Sequence, residues 1–244
     1  MTAGGLGERL GYDGIKIGLQ TELITLRSFI QIYIESIKAY EDRVKKVEKV
    51  PSEWYIPFCI MTSEDTHDRT KEFLDKNSNF GMKKEQIIFI KQNKVPAILD
   101  NDCHLALQKD KFLLLTKPHG HGDIHFLLYQ SGLAQKWLDE GKKYMIQFMD
   151  TNALAFNCVL STIGASVKYN YDINSTFVTR RAQLELLWEN LQEIIIIKDG
   201  VNLINKFLNK KKSWGAIIPF KKNLILIKIM KKQQYFMKME KHNY

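Results

Sequence analysis

Residues 3–16 read AGGLGERLGYDGIK, with glycines at 4, 5, 7, 11 and 14 and cations at Arg9 and Lys16. Glycine lets a backbone approach an anion closely, and successive N–H groups of such a loop can cradle phosphate oxygens. Arg9 and Lys16 add positive charge to the same loop. The spacing is not that of a P-loop, because the terminal Gly-Lys-Ser/Thr is absent. Taken alone, the cluster fits a phosphate loop and an ordinary flexible N-terminus about equally well. The segments that follow it decide.

Leu26, Phe29, Ile30, Tyr33, Ile37, Tyr40 and Val44 recur at three- and four-residue steps and predict one apolar face on a long helix. Ile56 to Met61 is a short apolar run that reads as a buried strand. Thr62 or Ser63 can cap a second helix reaching about Lys76, with Glu64, Asp65 and Asp68 near its positive end. Further strands are predicted at Ile87–Ile90, Phe112–Leu115 and Tyr144–Phe148, and a helix at Asp123–Glu140, with Phe126 and Trp137 packing against the core. Short strands alternating with helices predict an α/β fold with a mixed, mostly parallel sheet.

The chain has 244 residues, 36 basic and 27 acidic side chains and a formal net charge of +9. That charge is local. Residues 198–244 hold 12 lysines against Asp199 and Glu240, a net of +10, so the other 197 residues sum to −1. A basic stripe spread through a folded surface is missing, which argues against a nucleic-acid partner. The apolar run in the tail is interrupted by Lys221, Lys222 and Lys228, too short for the ~20 residues of a membrane span. Cys59, Cys103 and Cys158 are odd in number and lack metal-ligand spacing, which fits free thiols in a reducing, cytoplasmic setting. His119, His121 and His125 sit in a Gly-flanked loop with no cysteine nearby, a poor zinc pattern. The chain divides at about residue 190: 1–190 reads as a folded core and 191–244 as a Lys-rich, low-complexity tail without clear period.

Several blocks resemble the UDP-sugar pyrophosphorylases, relatives of UTP–glucose-1-phosphate uridylyltransferase. They are AGGLGERLGYDGIK, IPFCIMTSEDTHDRT at 56–70, NFGMKKEQI at 79–87, IKQNKVPAILDND at 90–102, TKPHGHGDIHFLLYQSGL at 116–133 and QFMDTNAL at 147–154. Their order is the family's order, over roughly residues 3–184. The resemblance implies a Rossmann-like nucleotidyltransferase core converting UTP and a monosaccharide 1-phosphate to UDP-sugar and pyrophosphate with Mg²⁺. It implies that Gly4, Gly5 and Gly7 line the nucleotide and that Lys16, with Arg9, is the catalytic cation. Gln92 matches the glutamine that reads uracil, since an amide can donate and accept at an imide edge. Gly120 and His121 match nucleotide contacts, and Asp150 matches the metal-binding aspartate.

The chain departs from the family pattern at both ends. Only Met1-Thr2-Ala3 precede the glycines, where relatives carry an apolar strand, so the central strand is expected to be mostly missing. Gln20 stands where relatives have proline, which predicts a less rigid loop. LELLWEN at 184–190 replaces the expected Gly-Gly, and no sugar-binding portion follows. The fold is therefore expected to be incomplete at both ends. The rival to an active uridylyltransferase is a UTP-binding remnant without turnover. Oligomeric state is left open.

Overall fold

Alternation along FCIMT sets the orientation of the first strand. In β1 (Phe58–Thr62), Phe58 and Ile60 enter one apolar cluster, whereas Cys59 and Met61 meet another on the opposite face. A strand with both faces covered belongs to the interior of a layered α/β fold. The computed structural model describes residues 1–7, 11–109, 112–177 and 192–198. All of them fall within one compact unit, Met1–Leu203.

Helix α1 (Phe29–Val47) starts where Ser28 caps it, its side chain accepting from the Gln31 N–H. It buries Ile30, Tyr33 and Ile37 of the predicted face and adds Ile34, whereas Leu26 precedes the helix and is exposed. Each such side chain contributes about 1.5–3 kcal/mol when fully buried. Helix α2 (Glu64–Lys76) follows β1, and strand β2 (Ile87–Lys91) returns parallel to β1, Phe58 facing Ile87 and Thr62 facing Lys91. Buried Glu41 ties the start of this unit together, accepting from Ile56 N at 2.7 Å and Gln86 Nε2 at 2.6 Å.

Strands β3 (Lys94–Pro96) and β4 (Thr116–Pro118) form an antiparallel arm. The predicted strand at 112–115 is thus displaced: pairing begins one residue later, with only Leu114 bridging Leu107 inside the predicted span. The predicted helix 123–140 is two helices, α3 (Asp123–Gln130) and α4 (Leu133–Asp139). The break comes where Ser131 and Gly132 N–H groups bond back to Leu127 and Tyr129 carbonyls. Trp137 packs on the second cluster as predicted, but Phe126 is 41% exposed and does not belong to the core. Strand β5 (Tyr144–Phe148) then leads into α5 (Ala155–Tyr169) and β6 (Ile173–Phe177).

Residues 192–198, beyond the boundary read at 190, form β7 (Gln192–Lys198), antiparallel to both β5 and β6 and lying between them. The sheet is therefore mixed, parallel on the β1–β2 side and antiparallel on the β5–β7–β6 side.

The two sides are joined by three residues. Thr2 bridges Met61 and Met149, both in parallel sense. Met61 N donates to Met1 O at 2.9 Å, Ala3 N to Met61 O at 2.7 Å and Thr2 N to Phe148 O at 3.2 Å. Met1-Thr2-Ala3, all that remains where a central strand was expected to be mostly missing, thus lie between β1 and β5. Clusters of side chains from α1, α2 and α5 cover one face, and α3 and α4 the other.

Residue Gln20, expected to loosen its loop, bridges Ser28, while Thr21 N donates to Arg27 O at 2.8 Å and Phe29 N to Leu19 O at 3.0 Å, closing the turn. The tail residues beyond 198 and the LELLWEN run lie outside the described residues. Among those described, no helix is long and apolar enough to cross a membrane.

Candidate functional site

Parallel strands deliver their following loops to one edge, and in open α/β sheets ligands bind outside these carboxyl ends. Ala3 runs into Gly4, β1 into Ser63, β2 into Gln92 and β5 into Asp150. Four chain segments far apart in sequence thereby meet.

Gly4 lies directly against Gln92. A Cβ on Gly4 would fall 2.1 Å from Gln92 Nε2 and 3.5 Å from Ser63 N. Gln92 N donates to Thr62 O at 2.8 Å, which fixes the residue at the end of β2. Its side chain is buried, 6% exposed, and its Oε1 has no hydrogen-bond partner among the described residues. An orphaned buried acceptor costs free energy unless something donates to it. The loop itself is anchored by α2: Thr66 Oγ1 donates to Ala3 O at 3.1 Å and accepts from Ser63 N at 3.0 Å.

Gly5 borders Lys16, whose Nζ would be 2.9 Å from a Cβ there. Lys16 opens a 3₁₀ turn, Lys16–Gly18, stabilised by a Leu19 N to Lys16 O bond. Its charge also acts on Asp150. That carboxyl is 5% exposed, and burial pushes its pKa up from the ordinary range while Lys16 pulls it down. A buried carboxylate at a strand end, opposed by a lysine and supplying only oxygen, suits a hard divalent cation that keeps waters and phosphate ligands.

Gly7 plays a different part. Its N–H donates to Gly14 O at 3.0 Å, its carbonyl accepts from Tyr12 N at 3.3 Å, and a Cβ would strike Tyr12 O at 2.8 Å. It packs against Tyr12, beside the antiparallel bridge between Leu6 and Ile15. Arg9 lies outside the described residues.

The PHGHGD loop reaches the same edge through His119 N, which donates to Asn93 O at 3.0 Å, next to Gln92. Gly120 has φ +117°, a conformation open to glycine, and nothing stands within 4 Å of a Cβ there. His121 is exposed. The His119 Nδ1–Asp123 Oδ1 contact of 2.5 Å spans the loop, and Asp123 is buried at the start of α3. The three histidines do not form a zinc cluster: among the described residues the His/Cys/Asp/Glu group close enough for that is Asp100, Asp102 and His104, all exposed on the arm.

Tyr33, Thr66 and the His119–Asp123 pair were not singled out from sequence as site residues. The i,i+4 spacing of His and Asp within PHGHGD was the available signal for the last. Tyr33 carried none beyond its place on an apolar face. A cleft of about 310 Å³ along α2 and β2, lined by Lys71, Leu74, Asn79, Lys84 and Phe89 among others, contains none of these residues.

The profile of the UTP–glucose-1-phosphate uridylyltransferase family matches residues 2–171. The chain is 50% identical over 184 residues to UDP-sugar pyrophosphorylase of Arabidopsis thaliana, covering 75% of this chain and 30% of that protein. It is 30% identical over 181 residues to UDP-N-acetylglucosamine pyrophosphorylase of Saccharomyces cerevisiae, 74% of this chain and 37% of that one. Among solved structures, the uridine diphosphate N-acetylglucosamine pyrophosphorylase of Trypanosoma brucei superposes with a TM-score of 0.68 at 19% identity, covering 88% of this chain and 49% of that one. UDP-glucose pyrophosphorylase of Leishmania major gives 0.61 at 18% identity, covering 86% and 51%. The chain thus spans about a third of the length of its curated relatives. Sequence blocks, sheet and matches agree: this chain belongs to the UTP–glucose-1-phosphate uridylyltransferase family.

Proposed function

We propose that the chain carries the uridine-nucleotide site of a uridylyltransferase that converts UTP and a monosaccharide 1-phosphate to UDP-sugar and pyrophosphate. The observation that carries this reading is the buried, unpartnered Gln92 Oε1 beside Gly4. Uracil offers an N–H flanked by two carbonyls. A primary amide can accept from that N–H and donate to a carbonyl, whereas adenine presents a different edge. Gly120 and His121 contribute the opposite wall, brought in by the His119–Asn93 bond.

In the reaction, a phosphate oxygen of the sugar 1-phosphate attacks the α-phosphorus of UTP. The bond from that phosphorus to the bridging oxygen breaks, and pyrophosphate leaves with the electron pair. Such displacement needs alignment and charge neutralisation more than covalent help. Lys16 supplies a cation beside the glycine backbone, and Arg9 adds a second by its place in the sequence. Asp150 would hold a divalent cation, Mg²⁺ by its hard oxygen chemistry; that ion supplies charge neutralisation at the phosphates. Free Cys59, Cys103 and Cys158 suit a cytoplasmic location.

Calorimetric titration with UTP and Mg²⁺, with ATP as the control, tests the reading. Saturable binding of UTP and not ATP is expected. Gln92→Ala is expected to erase that preference, and Lys16→Ala to leave it while abolishing pyrophosphate release from UTP and a sugar 1-phosphate. Equal affinity of the folded wild type for both nucleotides would remove the uracil assignment. Selective binding without any pyrophosphate release would leave a nucleotide-binding module and remove turnover.

A further inference from the structure

The loop that carries Asp150 is suspended from α1 by tyrosine hydroxyls. Tyr33 is fully buried, and its Oη donates to the carbonyl of Asp150 at 3.2 Å. The same oxygen accepts from Asn152 N at 2.8 Å. One hydroxyl thus grips the backbone on both sides of residue 151, with its donor and one acceptor position used. The ring has little freedom, standing edge-on to Phe148 at 5.0 Å and tilted against Phe156 at 5.8 Å. Two turns along α1, Tyr40 Oη donates to Phe156 O at 2.7 Å, holding the first turn of α5.

A phenylalanine would fill the packing role of Tyr33 without burying a polar group. The hydroxyl is matched to one place, the two peptide groups flanking Asp150. Asp150 in turn makes little use of side-chain partners: Thr151 Oγ1 stands at 3.5 Å, too long to orient a carboxylate firmly, and the residue's own backbone also bonds it. Its direction is therefore set mainly by its backbone, and the backbone is set by Tyr33.

We infer that Tyr33 is a positioning residue, whose hydroxyl aims the Asp150 carboxylate at a divalent cation bound with the nucleotide phosphates. This rests on the reading of Asp150 given above. Displacing a carboxylate by a fraction of an ångström changes coordination of a small ion that demands near-octahedral geometry. The Tyr33 hydroxyl is buried and engaged with these two backbone groups, so its removal is expected to act on the metal-dependent part of binding alone.

The test compares the full chain with Tyr33→Phe, Tyr40→Phe and a chain carrying 4-fluorophenylalanine at position 33, which fills the hydroxyl volume without donating. UTP is titrated into each with and without Mg²⁺, alongside circular dichroism. Wild type is expected to gain UTP affinity with Mg²⁺. Both position-33 variants are expected to lose about tenfold or more of that gain while metal-free affinity stays within about twofold. Tyr40→Phe, which removes a hydroxyl bond to the first turn of α5, is expected to keep the gain. Retention of the full gain by a folded position-33 variant, or equal losses at 33 and 40, would overturn the inference. A folded wild type with no Mg²⁺-dependent UTP binding would instead remove the reading of Asp150, and the inference with it.

Discussion

Gly4 and Gln92 are packed so closely that no methyl group fits between them. The 2.1 Å from a Cβ on Gly4 to Gln92 Nε2 is far inside contact distance, and the amide is buried with little room to retreat. Gly4→Ala is expected to push the amide aside and weaken UTP binding by about tenfold or more, ~1.4 kcal/mol. Gly5→Ala meets only the tip of a flexible lysine and should cost less. Titration of both variants checks the order; a larger loss for Gly5→Ala would contradict it.

Asp150 sets function against stability. Burial raises its pKa, so the folded state binds protons more readily than the unfolded chain above the ordinary carboxylate range. Stability from this group therefore falls as pH rises from about 3.8 through the raised folded value, and the penalty stays at neutral pH. Asp150→Asn is expected to raise the melting temperature at pH 7 and to abolish the Mg²⁺-dependent part of UTP binding. A lower melting temperature with intact metal dependence would refute both statements.

The amino group of Met1 is buried and donates to Cys59 O at 2.9 Å, and burial lowers its pKa below 8.0. An amine with a depressed folded value destabilises the fold when protonated. The chain with a free amino group at Met1 should gain stability as pH rises from the depressed value to about 8 and level off above it. An apolar extension ahead of Met1 removes the charge and should flatten that slope. Thermal unfolding of both forms between pH 6 and 9 decides, and identical slopes would count against it.

Asp123 presents one oxygen to His119, while its other, Oδ2, is buried without a partner among the described residues. The pair braces the turn that carries Gly120 and His121. Asp123→Ala is expected to release it and weaken UTP binding roughly five- to tenfold, about 1–1.4 kcal/mol. In the wild type the pair should also hold the proton on His119 Nδ1. Nitrogen chemical shifts of His119 report the tautomer, and a proton on Nε2 alone would mean the contact does not form in solution.

The short apolar runs around residues 58–62 and 87–90 made the β1–α2–β2 unit legible; Phe58, Ile60, Ile87 and Phe89 go to one cluster and Cys59, Met61 and Ile90 to the other. The block resemblance pointed to Gly4, Gly5, Lys16, Gln92 and Asp150, and their mutual proximity, Gly4 to Gln92, Gly5 to Lys16 and Lys16 to Asp150, is what the fold adds. Gly7 has a structural reason that the sequence hid, since a glycine demanded by a neighbouring tyrosine looks the same in sequence as one demanded by a phosphate. QEIIIIK offered no period to read: four consecutive isoleucines alternate with nothing, and their partners in β5 and β6 are not sequence neighbours. The break between α3 and α4 was hidden because apolar spacing continues across Ser131 and Gly132. Tyr33 could not have been found from sequence, for its hydroxyl matters only once α1 lies beside the loop after β5.

Thr2 is bonded between β1 and β5, so a segment made early must wait for a strand made much later. On the ribosome, β1, α2 and β2 can pair locally, but the sheet has no middle until Phe148 has emerged. The step that seats Met1–Ala3 is also the step that sets Gly4 against Gln92, so that contact and the joined sheet arise in one event. A chain caught before that event holds neither, and becomes a client for chaperones or for its own neighbours.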